Sequence, residues 1–273
     1  MKGPALSIVI PAYREERYLG ATLTALHTYL AALDWLGTTE VIVVTADGSD
    51  RTAAIAREQL AAFPHTRHLE PGPKVGKGRD VRAGMLVATG GLVVFMDADM
   101  ATPLHHIERF VRRLRGQDGE TAADVVIGSR DLRSIHHDWM RSTSSQVANR
   151  LVQTLLLPGV RDTQCGFKAF RGELVRELFE PMITLGWGFD FEVLGRARLA
   201  GYQIDELEVS DWADPKGDEG LVGEAPWLAS LRTLRELFAV WGRLDGPIAR
   251  AQRSRRARVT GQVLQKPVAV RYG

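Results

Sequence analysis

A single cysteine, Cys165, stands in 273 residues, so no intrachain disulfide can form and a small cross-linked secreted scaffold is excluded. Long apolar runs are missing too. Nowhere do about 18 such residues follow one another, so no transmembrane helix is expected. Charge of one sign is scarce: 35 Lys and Arg stand against 33 Asp and Glu, and the formal charge of +2 gives no reason to expect a nucleic-acid partner. Residues 1–10 lack the basic flank and apolar stretch of a signal peptide, and a cytoplasmic address is the expectation. Internal repeats and low-complexity tracts are absent.

What is present is an ordinary globular balance of 45% apolar and 25% charged residues. The length suits one domain with an appendage. The small net charge hides an asymmetry. From residue 243 onward stand Arg243, Arg250, Arg253, Arg255, Arg256, Arg258, Lys266 and Arg271 against one acid, Asp245. Such a basic tail suits anionic surfaces.

Hydrophobic patterning predicts alternating strands and helices. Leu6–Ile10 reads as a buried strand closed by Pro11, and residues 17–33 as a helix with Leu19, Leu23, Leu26 and Leu30 at helical spacing. Glu40–Val44 is a second strand. Thr52–Phe63 reads as a helix with Asp50 as its N-cap, and residues 80–88 as another. Leu92–Met96 is a third strand, Ile107–Leu114 a helix, and Asp124–Ile127 a fourth strand ending in Gly128-Ser129-Arg130. This alternation predicts an α/β fold with a mainly parallel sheet sandwiched by helices. Ligands of such sheets bind beyond the carboxyl ends of the strands. Tyr13, Asp47, Asp97, Asp99 and Arg130 should therefore share one rim.

Asp97-Ala98-Asp99 directly follows a strand, and in extended chain residues two apart project to the same side. Two carboxylates so placed suit Mg2+ or Mn2+ with a diphosphate beyond it; the alternative is an acidic turn capping the next helix. Lys74-Val75-Gly76-Lys77-Gly78-Arg79 is a basic glycine-rich loop that can cradle phosphate or be a solvated turn. It fits neither the P-loop nor the dinucleotide fingerprint. Tyr13 can stack on a base or cover an exposed edge, and Asp47 can bind a nucleoside or brace a turn. Cys165 reads as a small core residue. His105-His106 and His136-His137 have no metal-ligand spacing and read as surface residues.

In order along the chain, Ser7-Ile8-Val9-Ile10-Pro11-Ala12-Tyr13 with Glu15-Glu16, Asp47-Gly48-Ser49-Asp50, Gly76-Lys77-Gly78, Asp97-Ala98-Asp99 and Gly128-Ser129-Arg130 resemble the family 2 glycosyltransferases of GT-A fold. Asp162-Thr163-Gln164-Cys165-Gly166-Phe167-Lys168 and Trp187-Gly188-Phe189-Asp190-Phe191-Glu192 are similar to the dolichyl-phosphate or polyprenyl-phosphate glucosyltransferase and mannosyltransferase branch. The resemblance covers roughly residues 6–210. It implies a nucleotide-sugar site of Pro11, Tyr13, Glu15, Asp47, Lys77 and Asp97, with Asp97 and Asp99 at a Mg2+ or Mn2+ ion. It also implies an inverting displacement on UDP-glucose, with GDP-mannose the nearest variant. Where relatives carry two aspartates before the glycine, this chain has Thr45-Ala46-Asp47, which leaves uridine and guanosine both open.

The acceptor decides what else is needed. A sugar hydroxyl requires a general base, for which Asp190 or Glu192 is the candidate. A phosphate monoester, with a second pKa near ~6, is already mostly dianionic. It requires cationic positioning, for which Arg130 and Arg141 are suited, with Gln164 beside them. Catalytic candidates are thus Asp97, Asp99, Asp190, Arg130 and Arg141. A non-catalytic nucleotide-sugar-binding protein remains the rival from another class.

Trp227, Leu231, Leu234, Phe238 and Trp241 fall on one helical face before the basic tail, as an interfacial helix requires, or a helix packed on the domain or on a second subunit. The expected organisation is a GT-A domain over 1–212, a linker and amphipathic helix over 213–245 and a basic tail over 246–273. Peripheral membrane contact through 227–241 and the tail, with a homo-oligomer as a further option, completes the expectation.

Overall fold

A computed structural model of the chain describes residues 3–117, 119, 121–130, 150–213, 215, 226–246 and 271–272. Its strands are β1 (Leu6–Ala12), β2 (Thr39–Thr45), β3 (His65–Leu69), β4 (Leu92–Met96), β5 (Val125–Arg130), β6 (Phe167–Arg171), β7 (Ile204–Val209) and β8 (Arg271–Tyr272). They form one sheet in the order β3-β2-β1-β4-β6-β5-β7-β8. Strand β6 runs antiparallel to β4 and β5, and the other pairs are parallel. Its helices are α1 (Leu19–Ala32), α2 (Thr52–Leu60), α3 (Lys77–Val87), α4 (His106–Arg115), α5 (Gly172–Phe179), α6 (Phe189–Ala200) and α7 (Pro226–Leu244). Residues 150–155 are helical as well.

The central strands are apolar on both faces because helices cover both. Alternation along each strand divides the side chains between two cores. Val9, Ile42, Val44, Val93 and Phe95 pack with Val81, Met85, Phe179 and Phe189 on one side. Ile8, Ile10, Val41, Val43 and Val94 pack with Leu23, Leu26, Ile107 and Phe110 on the other. Burying each such large side chain contributes about 1.5–3 kcal/mol.

Several local expectations need correcting. Pro11 does not close β1: it pairs in register with Val44, and the strand runs on to Ala12. Lacking an N–H, proline forfeits one donor without ending the pairing. Asp50 lies one residue before the cap position of α2, which Arg51 holds. Its carboxylate still accepts from the Thr52 N–H at 3.3 Å and the Thr52 hydroxyl at 2.7 Å.

The segment expected as an appended helix shares the main core. Leu237 and Val240 of α7 are fully buried with Phe189 and Phe191 of α6, and Arg198 Nη2 donates to Asp245 Oδ2 at 3.1 Å. Two residues of the expected tail return to the sheet as β8, beside β7.

Candidate active site

Parallel strands β1, β2, β4 and β5 deliver their carboxyl ends to one edge. The chain order reverses between β1 and β4, where a crevice opens in sheets of this kind. Asp97 is the first residue after β4, and Asp99 follows across the buried Ala98. Antiparallel β6 begins at this same edge, so Gly166 lies against Asp97. A Cβ at residue 166 would stand 1.8 Å from Asp97 Oδ2. Only glycine leaves the carboxylate its place.

Lys77 opens α3, and its Nζ lies 2.5 Å from Asp97 Oδ1. The ammonium also sits 5.4 Å from the Phe95 ring and 5.1 Å from the Trp187 ring. Burial works against its charge, but the Asp97 carboxylate outweighs this and holds Lys77 above its ordinary value. Asp99 Oδ1 accepts from the Ala101 N–H at 3.1 Å. Arg14 and Met100, next to Tyr13 and Asp99, have φ of 58° and 52°. Left-handed non-glycine backbone costs about 1–3 kcal/mol and collects at functional rims. The donor chemistry fits a hard divalent ion: two half-buried carboxylates, one already neutralising a cation, on a strand end with glycine behind them.

Behind Lys77 lies a second pair. Lys168 Nζ is 2.7 Å from Asp190 Oδ1 and donates to the Cys165 carbonyl at 2.6 Å, with both side chains buried. Burial pushes the Asp190 carboxyl up, and Lys168 only partly opposes this. Glu192, the other expected base, does not face the rim. It is fully buried and accepts from the Thr184 N–H at 2.8 Å, the Ile183 N–H and Arg196 Nη2 at 2.6 Å. Its role is to tie down the 183–188 loop.

Arg130 ends β5 and is clasped bidentately by Asp162, with Nε to Oδ2 at 2.6 Å and Nη2 to Oδ1 at 2.9 Å. Burial opposes the Arg130 charge, but Asp162 outweighs it and holds the guanidinium above its ordinary value. Asp162 is positioned in turn by fully buried Glu206, which accepts its N–H at 2.8 Å. The Trp212 ring lies 5.2 Å from the guanidinium. Gln164 is exposed nearby, its N–H donating to Asp162 Oδ1 at 3.1 Å. Arg141 lies outside the described residues.

On the other side of the crevice, Tyr13 is half-buried with Lys74 Nζ 4.3 Å from its ring centre. The Glu15 N–H donates to Thr52 Oγ1 at 2.8 Å. Asp47 is exposed, its N–H donating to the Gly72 carbonyl at 3.0 Å. Beside it a cavity of about 200 Å3 is lined by Thr45, Asp47, Asp50, Thr52 and Glu70. Pro11 is buried within β1, two residues before Tyr13.

Cys165 is a core residue as expected, its thiol pushed up to about 11 by burial. His105 is exposed, but His106 is buried, contrary to expectation, with Nε2 2.7 Å from Asp211 Oδ1. Arg109 Nη1 stands 3.3 Å from His106 Nδ1. Arginine can only donate, so Nδ1 accepts and the proton on Nε2 faces Asp211. That makes a hydrogen-bonded couple, with His105 Nε2 3.3 Å from the other oxygen of Asp211. His136-His137 lies outside the described residues. Reading the sequence missed the individual parts of Gly166, Lys168, Asp162 and Trp187. Their motifs were visible, but which neighbours they meet depends on strand order.

Comparison with known proteins agrees with this geometry. The glycosyl transferase family 2 pattern matches residues 7–179. Glycosyltransferase AglD of Haloferax volcanii is 34% identical over 79% of this chain, which spans about a third of that protein (34%). Dolichyl-phosphate beta-glucosyltransferase ALG5A of Trichomonas vaginalis is 32% identical, covering 78% of this chain and 67% of its own. The Homo sapiens dolichyl-phosphate beta-glucosyltransferase is 30% identical, over 82% of this chain and 71% of its own. Among solved structures, Mycobacterium tuberculosis glucosyl-3-phosphoglycerate synthase with Mn2+, uridine-diphosphate-glucose and phosphoglyceric acid has a TM-score of 0.61 at 19% identity. It covers 88% of this chain and 80% of its own. The likeness is one of fold, and it meets the GT-A expectation. A pattern running from β1 through α5, across the paired carboxylates, makes this chain a member of glycosyltransferase family 2 and an α/β glycosyltransferase.

Proposed function

We propose that the protein transfers a hexose, glucose from UDP-glucose, onto a polyprenyl or dolichyl phosphate with inversion at the anomeric carbon. The observation that carries this reading is the Asp97–Lys77 contact at the end of β4, beside Asp99. It sets two carboxylates and an ammonium where a diphosphate and its counter-ion would meet. Tyr13, Glu15 and Asp47 would hold the nucleoside, and Lys77 the diphosphate. Asp97 and Asp99 would hold Mg2+ or Mn2+, which when bound supplies Lewis-acid stabilisation of the departing diphosphate.

The acceptor phosphate oxygen attacks the anomeric carbon, and the bond from that carbon to the nucleoside diphosphate breaks with its electron pair leaving on the diphosphate. A dianionic phosphate brings its own nucleophile and needs no base. Arg130, fixed by Asp162, and Arg141 would orient it, with Gln164 alongside. The burial of Asp190 against Lys168 and the use of Glu192 by the 183–188 loop support a phosphate acceptor over a soluble hydroxyl. The names of the dolichyl-phosphate relatives support it also. A lipid-linked acceptor implies peripheral membrane contact, through the 227–241 helix and the basic tail.

Radiolabelled UDP-glucose and GDP-mannose, each with Mg2+ or Mn2+ and a polyprenyl-phosphate extract, test the reading. Label from UDP-glucose alone is expected in the lipid phase. Label from GDP-mannose instead would overturn the donor, and donor hydrolysis without lipid product would overturn the acceptor. Arg141→Ala should raise the KM for the acceptor more than that for the donor; equal increases would remove Arg141 from the acceptor site.

A further inference from the structure

Among the described residues, the exposed large apolar side chains are Val75, Ile183, Leu185, Trp187, Leu231 and Phe238, each between 37% and 57% exposed. They are not scattered. They fall on three segments that hold one another: the loop before α3, the 183–188 loop and α7. The Arg79 N–H donates to the Leu185 carbonyl at 3.2 Å, and a Cβ at Gly76 would stand 2.3 Å from that same oxygen. From α7, Glu236 Oε2 accepts the Gly188 N–H at 2.5 Å, and Arg243 Nη2 donates to Thr184 Oγ1 at 3.1 Å. Glu192 accepts the Ile183 and Thr184 N–H groups from below.

The loop backbone is thus fastened while alternate side chains, 183, 185 and 187, stand in water. Each forgoes part of the stabilisation that full burial would give, and clustered exposure of this kind marks a partner surface. We propose that these three segments form the face that docks on an anionic lipid bilayer, with Leu231 and Phe238 of α7 and Ile183, Leu185 and Trp187 entering the acyl boundary. This deepens the lipid-acceptor reading and rests on it. From sequence, one face of the 227–241 helix offered itself for membrane contact or for packing on the domain; in the structure α7 buries Leu237 and Val240 in the core and leaves Leu234 and Trp241 half-covered. The loops supply the apolar surface it lacks.

Charge selects the occupant. Exposed Arg232 and Arg235 lie on α7, and exposed Lys74 adjoins Val75. Anionic headgroups match this rim. A second copy of the chain would bring the same cations face to face across a two-fold axis. The surface is also continuous with the site, because the Trp187 ring lies 5.1 Å from the Lys77 ammonium that holds Asp97. An acceptor phosphate at headgroup depth would meet the donor there.

Co-sedimentation of the full chain with phosphatidylcholine–phosphatidylglycerol vesicles, without donor or acceptor, tests the proposal. Wild type is expected to bind these vesicles and to bind pure phosphatidylcholine more weakly. Leu231→Ser with Phe238→Ser is expected to lower the partition constant about tenfold or more, equivalent to roughly 1.4 kcal/mol. Its melting temperature and its transfer to water-soluble geranyl phosphate should be unchanged. Equal vesicle binding by wild type and variant would overturn the proposal. So would sedimentation showing that the variant loses a dimer while still binding vesicles. A chain that binds vesicles but ignores every phosphate acceptor would instead sink the acceptor reading and leave the docking face standing.

Discussion

Gly166 shows how one residue's lack of a side chain can serve another's chemistry. Gly166→Ala places a methyl 1.8 Å from Asp97 Oδ2, so the carboxylate must move. Transfer should fall about a hundredfold or more, as displacement of a positioned group by about 1 Å does, while urea unfolding shows the fold retained. Lys168 carries a different burden. Lys168→Met leaves the Asp190 carboxylate buried without its cation and should cost about 3–5 kcal/mol in urea melts. Adding Asp190→Leu should recover most of that loss, because replacing both members of a buried pair is often near neutral. Asp97 and Asp99 were legible in the sequence because they follow a run too apolar to be anything but a buried strand. Gly166 and Lys168 were not, because β6 enters antiparallel between β4 and β5 and nothing in Phe-Lys-Ala-Phe-Arg announces that insertion. A lysine in mid-strand reads as solvent-facing until its partner on α6 is known.

At the scale of elements, the 183–188 loop and the helices that fasten it are the least conventional part of the chain. Glu192 is the fastener. Burial alone would raise its carboxyl, but hydrogen bonds from Arg196 and the Thr184 amide prevail and hold it below the ordinary 4.5. The unfolded chain then takes up the proton first on acidification. This contact's stabilisation is complete above roughly pH 5 and is lost as pH falls through the lowered native value. Glu192→Gln should lower stability at pH 7 by about 1–3 kcal/mol. It should also flatten the loss of stability below pH 4.5; an unchanged acid profile would assign that sensitivity to other carboxylates. Elements with simple periodicity were readable: α1, α4, β2 and β4 lie within a few residues of expectation. Strand β3 was hidden because His-Thr-Arg-His-Leu is a polar, mostly exposed edge pairing only with β2. Strand β7 was hidden because Asp205 and Glu206 sit in it, buried by Arg113 and by the amides of residues 161–162.

For the whole molecule, the argument from alternating elements to an α/β sheet holds, and parallel strands β1, β2, β4 and β5 end on one edge. The sequence left open whether the 227–241 helix meets a membrane or packs on the domain, and it did not disclose that α7 joins the main core through Leu237 and Val240 or that Arg271–Tyr272 returns beside β7. Both depend on contacts between segments far apart in the chain, which local patterning does not encode. The central claim is that this rim joins a sugar to a phosphate through the carboxylates after β4. Phosphorus NMR of a polyprenyl phosphate incubated with UDP-glucose, Mg2+ and the protein tests it most directly. The account expects the monoester signal to give way to a diester signal as UDP appears, and no such change with Asp99→Asn. UDP release with an intact monoester signal, or diester formation by Asp99→Asn at the wild-type rate, would contradict it.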